Sequence, residues 1–353
     1  MPKALEVPII TIMALFLSVG LIAVFILLAG QNPLDVFYTI YRGAFGSWFS
    51  WQNTLVRSAP LLLTALCTAL PARAGLIVIG GEGAVVIGGL FAAITGFQLS
   101  GADPLLVLSA MLISGSLAGG LWIAGVGALK HYRGVNETIS SLLLNYIAIA
   151  VLNFLVVGML KDPSSLNKPS THSVGPENML GAMGESSIHW GFGFGLIICA
   201  VLWFICQRTT FGYALSVVGG NPRTARLAGM NVGKVIIISC FLGGIGAGLA
   251  GAVEVAAVHG RANISLVAGY GYAGILVTFL ARHNPLAIIP FAILLGGIQA
   301  SGGLLQRSHG LPDATVAVIQ GLIFVVILAS EMFYGRLNPL FRLNPFRKPE
   351  VAA

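Results

Sequence analysis

The chain has 353 residues, of which 56% are hydrophobic and only 9% are charged, and its formal net charge is +7. Soluble domains carry about 25% charged residues, so this composition excludes an ordinary soluble protein. It indicates one polytopic membrane domain over residues 1–353, and the fold class we predict is all-α, a bundle of membrane helices. The positive charge lies in short segments between apolar runs, which favours the positive-inside rule over nucleic-acid binding.

Ten apolar runs are candidate membrane spans, because a helix needs about 20 apolar residues to cross a bilayer. The eighth run is too short to cross as a complete helix. Most Lys and Arg residues fall on one side of the resulting topology, which predicts that both termini are cytoplasmic. The ten runs cover residues 8–29, 54–71, 76–96, 104–129, 138–160, 189–206, 235–258, 271–282, 286–305 and 313–333.

Five runs followed by five more predict two inverted repeats, with halves at residues 1–160 and 189–335. The third and eighth runs are repeat partners in this scheme, and both are interrupted. The third follows Pro71 and opens through several glycines, and the eighth lies between Gly269 and Pro285. Paired interruptions of this kind point to a transport pathway near the membrane midplane.

The polar, basic loop at residues 207–234 contains the signals of a short helix. Asn221 is a good N-cap, Pro222 suits the first helical position, and Gly229 suits the position just past the end. These signals predict a helix of about two turns from Pro222 to Ala228.

The faces of this short helix fit a docking surface. Arg223 and Arg226 are three residues apart and share one face, and Ala225 and Ala228 leave another face small. The helix is therefore a candidate contact with a cytoplasmic partner. The alternative is an ordinary loop whose arginines only fix the topology.

Two other polar segments have alternative interpretations. The loop at residues 161–187 is rich in Pro, Ser, Gly and Asn, and is either a landing surface for an external protein or a passive linker. The basic tail at residues 335–353 is expected to contact lipid at the inner leaflet.

Glu82 and Glu254 are acidic residues placed well inside predicted spans. Such residues usually face a cavity or a partner, because a charge at the bilayer centre costs about 3 kcal/mol. Glu82 either caps or orients the broken third span, meets substrate, lies near the inner interface, or pairs with Arg73. We favour a structural role for both glutamates.

Polar and aromatic side chains near the interrupted runs are candidates for the substrate pathway. A polar stripe from Asn136 to Asn145 opens the fifth run; it either lines a pathway or forms hydrogen bonds between helices. Tyr270, Tyr272 and Phe279 accompany the eighth run. Their rings either stack on a planar base or a sugar, or fill gaps between helices.

Small residues recur every four positions in two of the runs, which predicts ridges where helices pack closely. The first ridge starts at Gly80 and the second at Gly244. The ridges consist of Gly80, Ala84, Gly88, Ala92 and Gly96, and of Gly244, Gly248, Ala252, Ala256 and Gly260.

The sequence offers no pattern for catalysis or for metal binding. The six histidines lie without the spacing of metal ligands, and neither a Ser–His–Asp nor a Cys–His arrangement is readable. Residues 246–251 match G-x-G-x-x-G but lie inside an apolar run without a preceding strand, and residues 229–234 fail the phosphate-loop spacing. We predict no enzyme activity, no metal and no cofactor in this chain.

Four stretches together resemble the permease subunits of bacterial ABC importers for simple sugars and nucleosides, closest to the nucleoside-type branch. Val78 stands where that branch usually has Asn. The stretches are ARAGLIVIGGEGAVVIGGLFAA at residues 72–93, GVNETISSLLLNYIA at 134–148, GGNPRTARLAGMNV at 219–232 and GYGYAGILVTFLARHNPLAI at 269–288.

The resemblance implies a multi-pass protein of the bacterial inner membrane, in which the helix from Pro222 couples to a separate ATP-binding subunit holding ATP and Mg²⁺. It implies two further partners, a second permease subunit in a heterodimer and an external substrate-binding protein. The alternatives are a permease for a simple sugar or another small polar solute, and, more distantly, an ion-coupled secondary transporter.

Overall fold

A computed structural model describes residues 3–165, 167–312 and 314–330 of the chain, so the basic tail at residues 335–353 lies outside the described residues. The described part is built from α-helices, most of them joined by short turns, with a long connection between Val157 and Trp190, in agreement with the predicted fold class. Its β-structure is limited to two isolated bridges, Ser170 with Asn263 and Ala182 with His189.

Thirteen α-helices occur in the described residues, and a π-helical turn and two 3₁₀ turns accompany them. The π-helical turn, Glu254–His259, continues α10 directly. The helices are α1 Lys3–Leu28, α2 Pro33–Phe45, α3 Trp48–Arg73, α4 Gly81–Gln98, α5 Pro104–Arg133, α6 Glu137–Val157, α7 Trp190–Arg208, α8 Thr210–Gly220, α9 Pro222–Leu227, α10 Val232–Val253, α11 Tyr270–Leu280, α12 Pro285–His309 and α13 Ala314–Ser330.

Each of the ten predicted runs corresponds to a helix, but ten is too many as a count of crossing helices. Seven described helices are long and apolar enough to cross a membrane, and an eighth span results if the pair α1 and α2, bent by 113°, is counted as one. The difference arises because α11 and the described part of α13 are shorter than a full span. The predicted halves and the inverted repeat stay predictions.

The chain divides into two compact units. One unit comprises residues 1–39 and 305–353, and in its described part α1 packs on α13 while the Thr39 hydroxyl lies 2.9 Å from Nε2 of His309. The other unit comprises residues 40–304 and contains every predicted site residue.

Helix α10 lies at the centre of the larger unit and packs against α3, α4 and α5. The packing is close because glycines face one another. A Cβ atom added at Gly248 would overlap the carbonyl oxygen of Gly115, and one added at Gly88 would overlap the backbone of Gly248. The predicted ridges are thus packing surfaces at Gly88 and Gly248, and α5 supplies matching glycines at Gly115 and Gly119. Gly260, the last residue of the second predicted ridge, instead ends the helical turn with a φ of +62°.

The two ends of the larger unit carry different structural elements. At the first end, called the α9 side, α3 and α5 finish, α6 and α10 begin, and α8 and α9 are placed. At the opposite end, called the loop side, the connection between α6 and α7 hydrogen-bonds to the segment that follows α10.

We expect Gly248→Ala to destabilise the protein by about 1–3 kcal/mol, because the new methyl group would force packed backbones apart. The matched control is Gly321→Ala, where an added Cβ finds no atom within 4 Å and only helix propensity changes. Thermal unfolding of the purified permease in detergent measures both. Equal midpoints for Gly248→Ala and wild type would contradict the proposed packing.

Candidate functional site

The candidate site forms where α4 and α11 begin. The first residues of the two helices touch: a Cβ atom added at Gly271 would overlap the backbone of Glu82, and one added at Gly81 would lie 3.5 Å from Cα of Gly271. Two helix N-termini therefore meet inside the protein, and they belong to the two interrupted runs. The first backbone N–H groups of an α-helix have no partner within that helix, and the N-terminus carries a partial positive charge.

The Glu82 carboxylate joins these two helix ends. The side chain is fully buried on the first turn of α4. Its Oε1 accepts a hydrogen bond of 2.8 Å from the backbone N–H of Gly269, and its Oε2 accepts one of 2.6 Å from that of Gly271. Glu82 thus caps α11, and not the helix that carries it. The alternative pairing of Glu82 with Arg73 is wrong; a contact with solute stays a prediction.

The non-helical segment before α4, residues 76–79, is held by the polar stripe of α6. Thr138, Ser141 and Asn145 are three and four residues apart along α6, so their side chains lie on one face of that helix. The structure therefore supports hydrogen bonding between elements as the role of this stripe. The bonds are Thr138 Oγ1 to Ile77 O at 2.9 Å, Ile79 N to Ser141 Oγ at 3.0 Å, Asn145 Nδ2 to Ile79 O at 2.9 Å, and Gly83 N to Asn145 Oδ1 at 2.7 Å.

Two neighbouring positions complete this description. Val78, the departure from the family pattern, buries its side chain, and its carbonyl oxygen accepts a 3.0 Å hydrogen bond from Thr68 Oγ1. Asn136 is exposed on the α9 side, where its side chain caps α6 by accepting from the N–H of Ile139 at 3.1 Å. Asn136 therefore does not join the buried cluster around Glu82.

The three aromatic candidates differ in exposure. Tyr270 is half-buried, whereas Tyr272 is 42% exposed on the first turn of α11. The side chains of Asn145, Glu82 and Tyr146 lie near the Tyr272 hydroxyl. Phe279, at the other end of α11, is half-buried. Tyr272 is thus the aromatic candidate that reaches the surface beside the paired helix ends.

The turn after α11 is attached to the end of α3. Arg73 Nε donates a 3.1 Å hydrogen bond to the carbonyl oxygen of His283. Arg282 and His283 both have positive φ, 50° and 61°, a conformation that is costly for non-glycine residues and needs support from its surroundings. Burial, assisted by the nearby charges of Arg73 and Arg282, lowers the pKa of His283 to about 4.

The short helix in the basic loop is confirmed as α9. The Asn221 side chain accepts hydrogen bonds from the N–H groups of Arg223 at 2.9 Å and Thr224 at 3.2 Å, and Gly229 has a φ of +77°. The helix ends at Leu227, one residue before the predicted end. The preceding helix α8 was not predicted.

The surface of α9 differs from the predicted one at two positions. Arg223 and Arg226 are exposed as expected, but Ala225 is fully buried and therefore anchors α9 to its own chain. Leu227, which the sequence analysis missed, is 90% exposed. A single exposed apolar side chain is common on protein surfaces, so Leu227 does not by itself mark a protein contact.

Helix α8 connects α9 to the end of α3. A Cβ atom added at Gly219 would overlap the carbonyl oxygen of Arg73, and one added at Gly75 would lie 3.2 Å from the carbonyl oxygen of Gly219. The arm formed by α8 and α9 therefore touches the backbone immediately before the non-helical segment at residues 76–79.

The loop side is attached to the segment that leads into α11. Asp162 lies 4.0 Å from Arg261, and the hydrogen bond from the Ser164 hydroxyl lowers the pKa of Asp162. Several backbone hydrogen bonds join this loop to the residues after α10. They are Thr171 N to Ala262 O at 2.9 Å, Val174 N to Gly260 O at 2.9 Å and Leu180 N to Ala256 O at 2.7 Å.

Glu254 opens the π-helical turn that continues α10. Its carboxylate is buried, and Oε2 lies 3.6 Å from Nε2 of His259, five residues later. The pair closes the turn on itself, which fits the structural role favoured from the sequence.

Apolar helices, two interrupted spans with paired N-termini and a capped surface helix define a membrane transport subunit. The chain belongs to the family described as branched-chain amino acid transport system / permease component, which matches residues 50–328. It is the permease of an ABC transporter, a multi-pass membrane protein.

Three relatives span most of the chain. The glucose ABC transporter permease protein TsgB13 of Haloferax volcanii is 29% identical over 337 residues, 92% of this chain and 87% of the relative. The guanosine ABC transporter permease protein NupP of Bacillus subtilis is 28% identical over 341 residues, 94% of this chain and 95% of the relative. The nucleoside ABC transporter permease protein NupB of Lactococcus lactis is 27% identical over 330 residues, 91% of this chain and 90% of the relative.

We expect Glu82→Gln to destabilise the protein by about 2 kcal/mol and to abolish transport, because an amide NH₂ would replace one of the two oxygens that accept from α11. Thermal unfolding and solute uptake measure the two effects. Glu185→Gln, a change of the same kind on the exposed loop, should leave both unchanged. Wild-type stability and uptake in the Glu82→Gln protein would show that the cap is dispensable.

Proposed function

We propose that this permease carries nucleosides into a bacterial cell as one subunit of an ATP-driven importer. The observation that carries the choice of solute is Tyr272, an exposed ring on the first turn of α11. An aromatic face stacks on a planar base. The relatives named for guanosine and for nucleosides support the same choice.

The second candidate solute is a simple sugar. It is favoured by the relative named for glucose, which is as similar to this chain as the guanosine relative is. An aromatic ring also packs on the apolar face of a sugar, so Tyr272 is compatible with both classes. A competition experiment between the two solutes separates them.

The proposed mechanism is alternating access, driven from the α9 side. A separate subunit binds ATP and Mg²⁺ and contacts Arg223, Arg226 and Leu227, which are exposed on α9. Its motion reaches α8, then the end of α3, and from Arg73 the turn after α11. The paired helix ends at Glu82 are then displaced relative to one another.

The loop side is proposed to receive solute from an external binding protein. The loop at residues 161–187 is suited to this because its hydrogen bonds reach the residues that lead into α11. In this arrangement the chain lies in the inner membrane with both termini in the cytoplasm. A second, different permease subunit completes the complex.

We expect the double variant Arg223→Glu with Arg226→Glu to lose the ATP-binding subunit on co-purification and to lose uptake, while the permease stays folded. The reason is that both side chains are exposed on one short helix, so charge reversal affects the contact and not the packing. Arg208→Glu reverses an exposed charge at the end of α7 and serves as the control. An undiminished complex with normal uptake would remove α9 as the coupling contact.

We expect cysteine at position 272 to react with a small water-soluble thiol reagent and to be protected by guanosine but not by glucose. Cysteine at 279, a half-buried position, should react more slowly, and cysteine at 275, a buried position on the same helix, should stay unreactive. The background is low because the four native cysteines are buried. Labelling kinetics in the assembled transporter provide the measurement.

Protection by glucose alone would indicate that the permease carries a simple sugar and not a nucleoside. Inertness at both 272 and 279, with neighbouring positions labelled, would remove α11 from the pathway.

A further inference from the structure

An apolar groove opens on the larger unit between α5 and α6, with α4 as its floor. Its volume is about 780 Å³, within the range of small-molecule sites. Ile87 and Phe91 of α4 form the floor, and Leu121 and Leu144 lie on the two walls. Along α5 the groove extends from Ala118 to Arg133, which corresponds to about 22 Å of helix. The groove thus reaches from the α9 side past the middle of a roughly 30 Å hydrocarbon layer.

The end of the groove on the α9 side is cationic. Arg133 lines it and is exposed, and it forms no ion pair among the side chains that the structure describes. The neighbouring cation differs, because Lys130 Nζ lies 2.7 Å from the carboxylate of Glu137. Tyr132, also in the lining, is 72% exposed. An arginine and a tyrosine at the end of a membrane helix are typical of the headgroup layer.

We propose that this groove binds an anionic phospholipid from the membrane leaflet on the α9 side. The acyl chains lie along α5 and α6, and the headgroup phosphate pairs with Arg133. The apolar lining matches hydrocarbon, and the single unpaired guanidinium at its open end matches one phosphate. A bound lipid fills the space between α4, α5 and α6, and so supports α4, the helix that carries Glu82.

The test uses the permease purified in detergent and native mass spectrometry with phosphatidylglycerol and phosphatidylcholine of identical acyl chains. Gly125→Leu blocks the groove, since an added Cβ at Gly125 finds no atom within 4 Å and the new side chain occupies the empty space. Arg133→Gln removes only the charge. Gly303→Leu, an equally unobstructed glycine on α12, is the matched control.

We expect Gly125→Leu to lose the most tightly retained lipid of either headgroup, and Gly303→Leu to retain it. Arg133→Gln should weaken phosphatidylglycerol binding about fivefold and leave phosphatidylcholine unchanged. Retention unaffected by both groove variants would overturn the proposal.

A photo-crosslinking residue at Leu121 identifies the occupant in native membranes. Crosslinks to lipid support the proposal, and a crosslink to a protein chain would instead assign the groove to a partner subunit.

Discussion

The structure depends on how the backbone is satisfied where two helices begin inside a membrane. Hydrocarbon offers no water to an unpaired N–H group, so an interrupted span is stable only if protein replaces the missing bonds. Glu82 does this for α11 through the N–H groups of Gly269 and Gly271. Asn145 does it for α4 by accepting from Gly83. Because the Glu82 carboxylate belongs to α4 and its donors belong to α11, the start of α11 is complete only when α4 lies beside it.

Attachments from both ends of the larger unit reach this pair of helix ends. On the α9 side, α8 packs on the end of α3, and Arg73 holds the turn after α11. On the loop side, the connection between α6 and α7 is hydrogen-bonded to the residues that precede α11. Helix α11 is therefore held at both ends by elements that also form the two outer surfaces. A change at either surface has a continuous route of packed or hydrogen-bonded backbone to Glu82.

Local signals in the sequence predicted most of the fold, whereas the contacts of the site required the structure. Asn221, Pro222 and Gly229 define α9 because caps act on neighbouring residues. The partners of Glu82 lie 187 and 189 residues away and are backbone amides, which no side-chain pattern reveals. Ala225 was predicted to lie on a docking face. Residue spacing shows which side chains share a helix face, but it does not show whether that face points toward solvent or toward the rest of the protein. The count of ten spans was too high because an apolar run in the sequence does not show whether its helix is long enough to cross the membrane.

Most of the contacts described above support the backbone, and few side chains are exposed near the start of α11. This offers a reason why relatives of nearly equal similarity to this chain are named for different solutes. The glycine packing of α10 against α4 and α5, the cap at Glu82 and the stripe on α6 all serve the backbone, and most of their residues are buried. Such contacts constrain many positions whatever the solute is. The side chains that we propose to meet solute are few, and Tyr272 is the one among them that reaches the surface beside the paired helix ends. Under the proposed function, overall identity therefore reports the shared permease architecture, and the choice of solute is assigned to a few exposed positions around the start of α11.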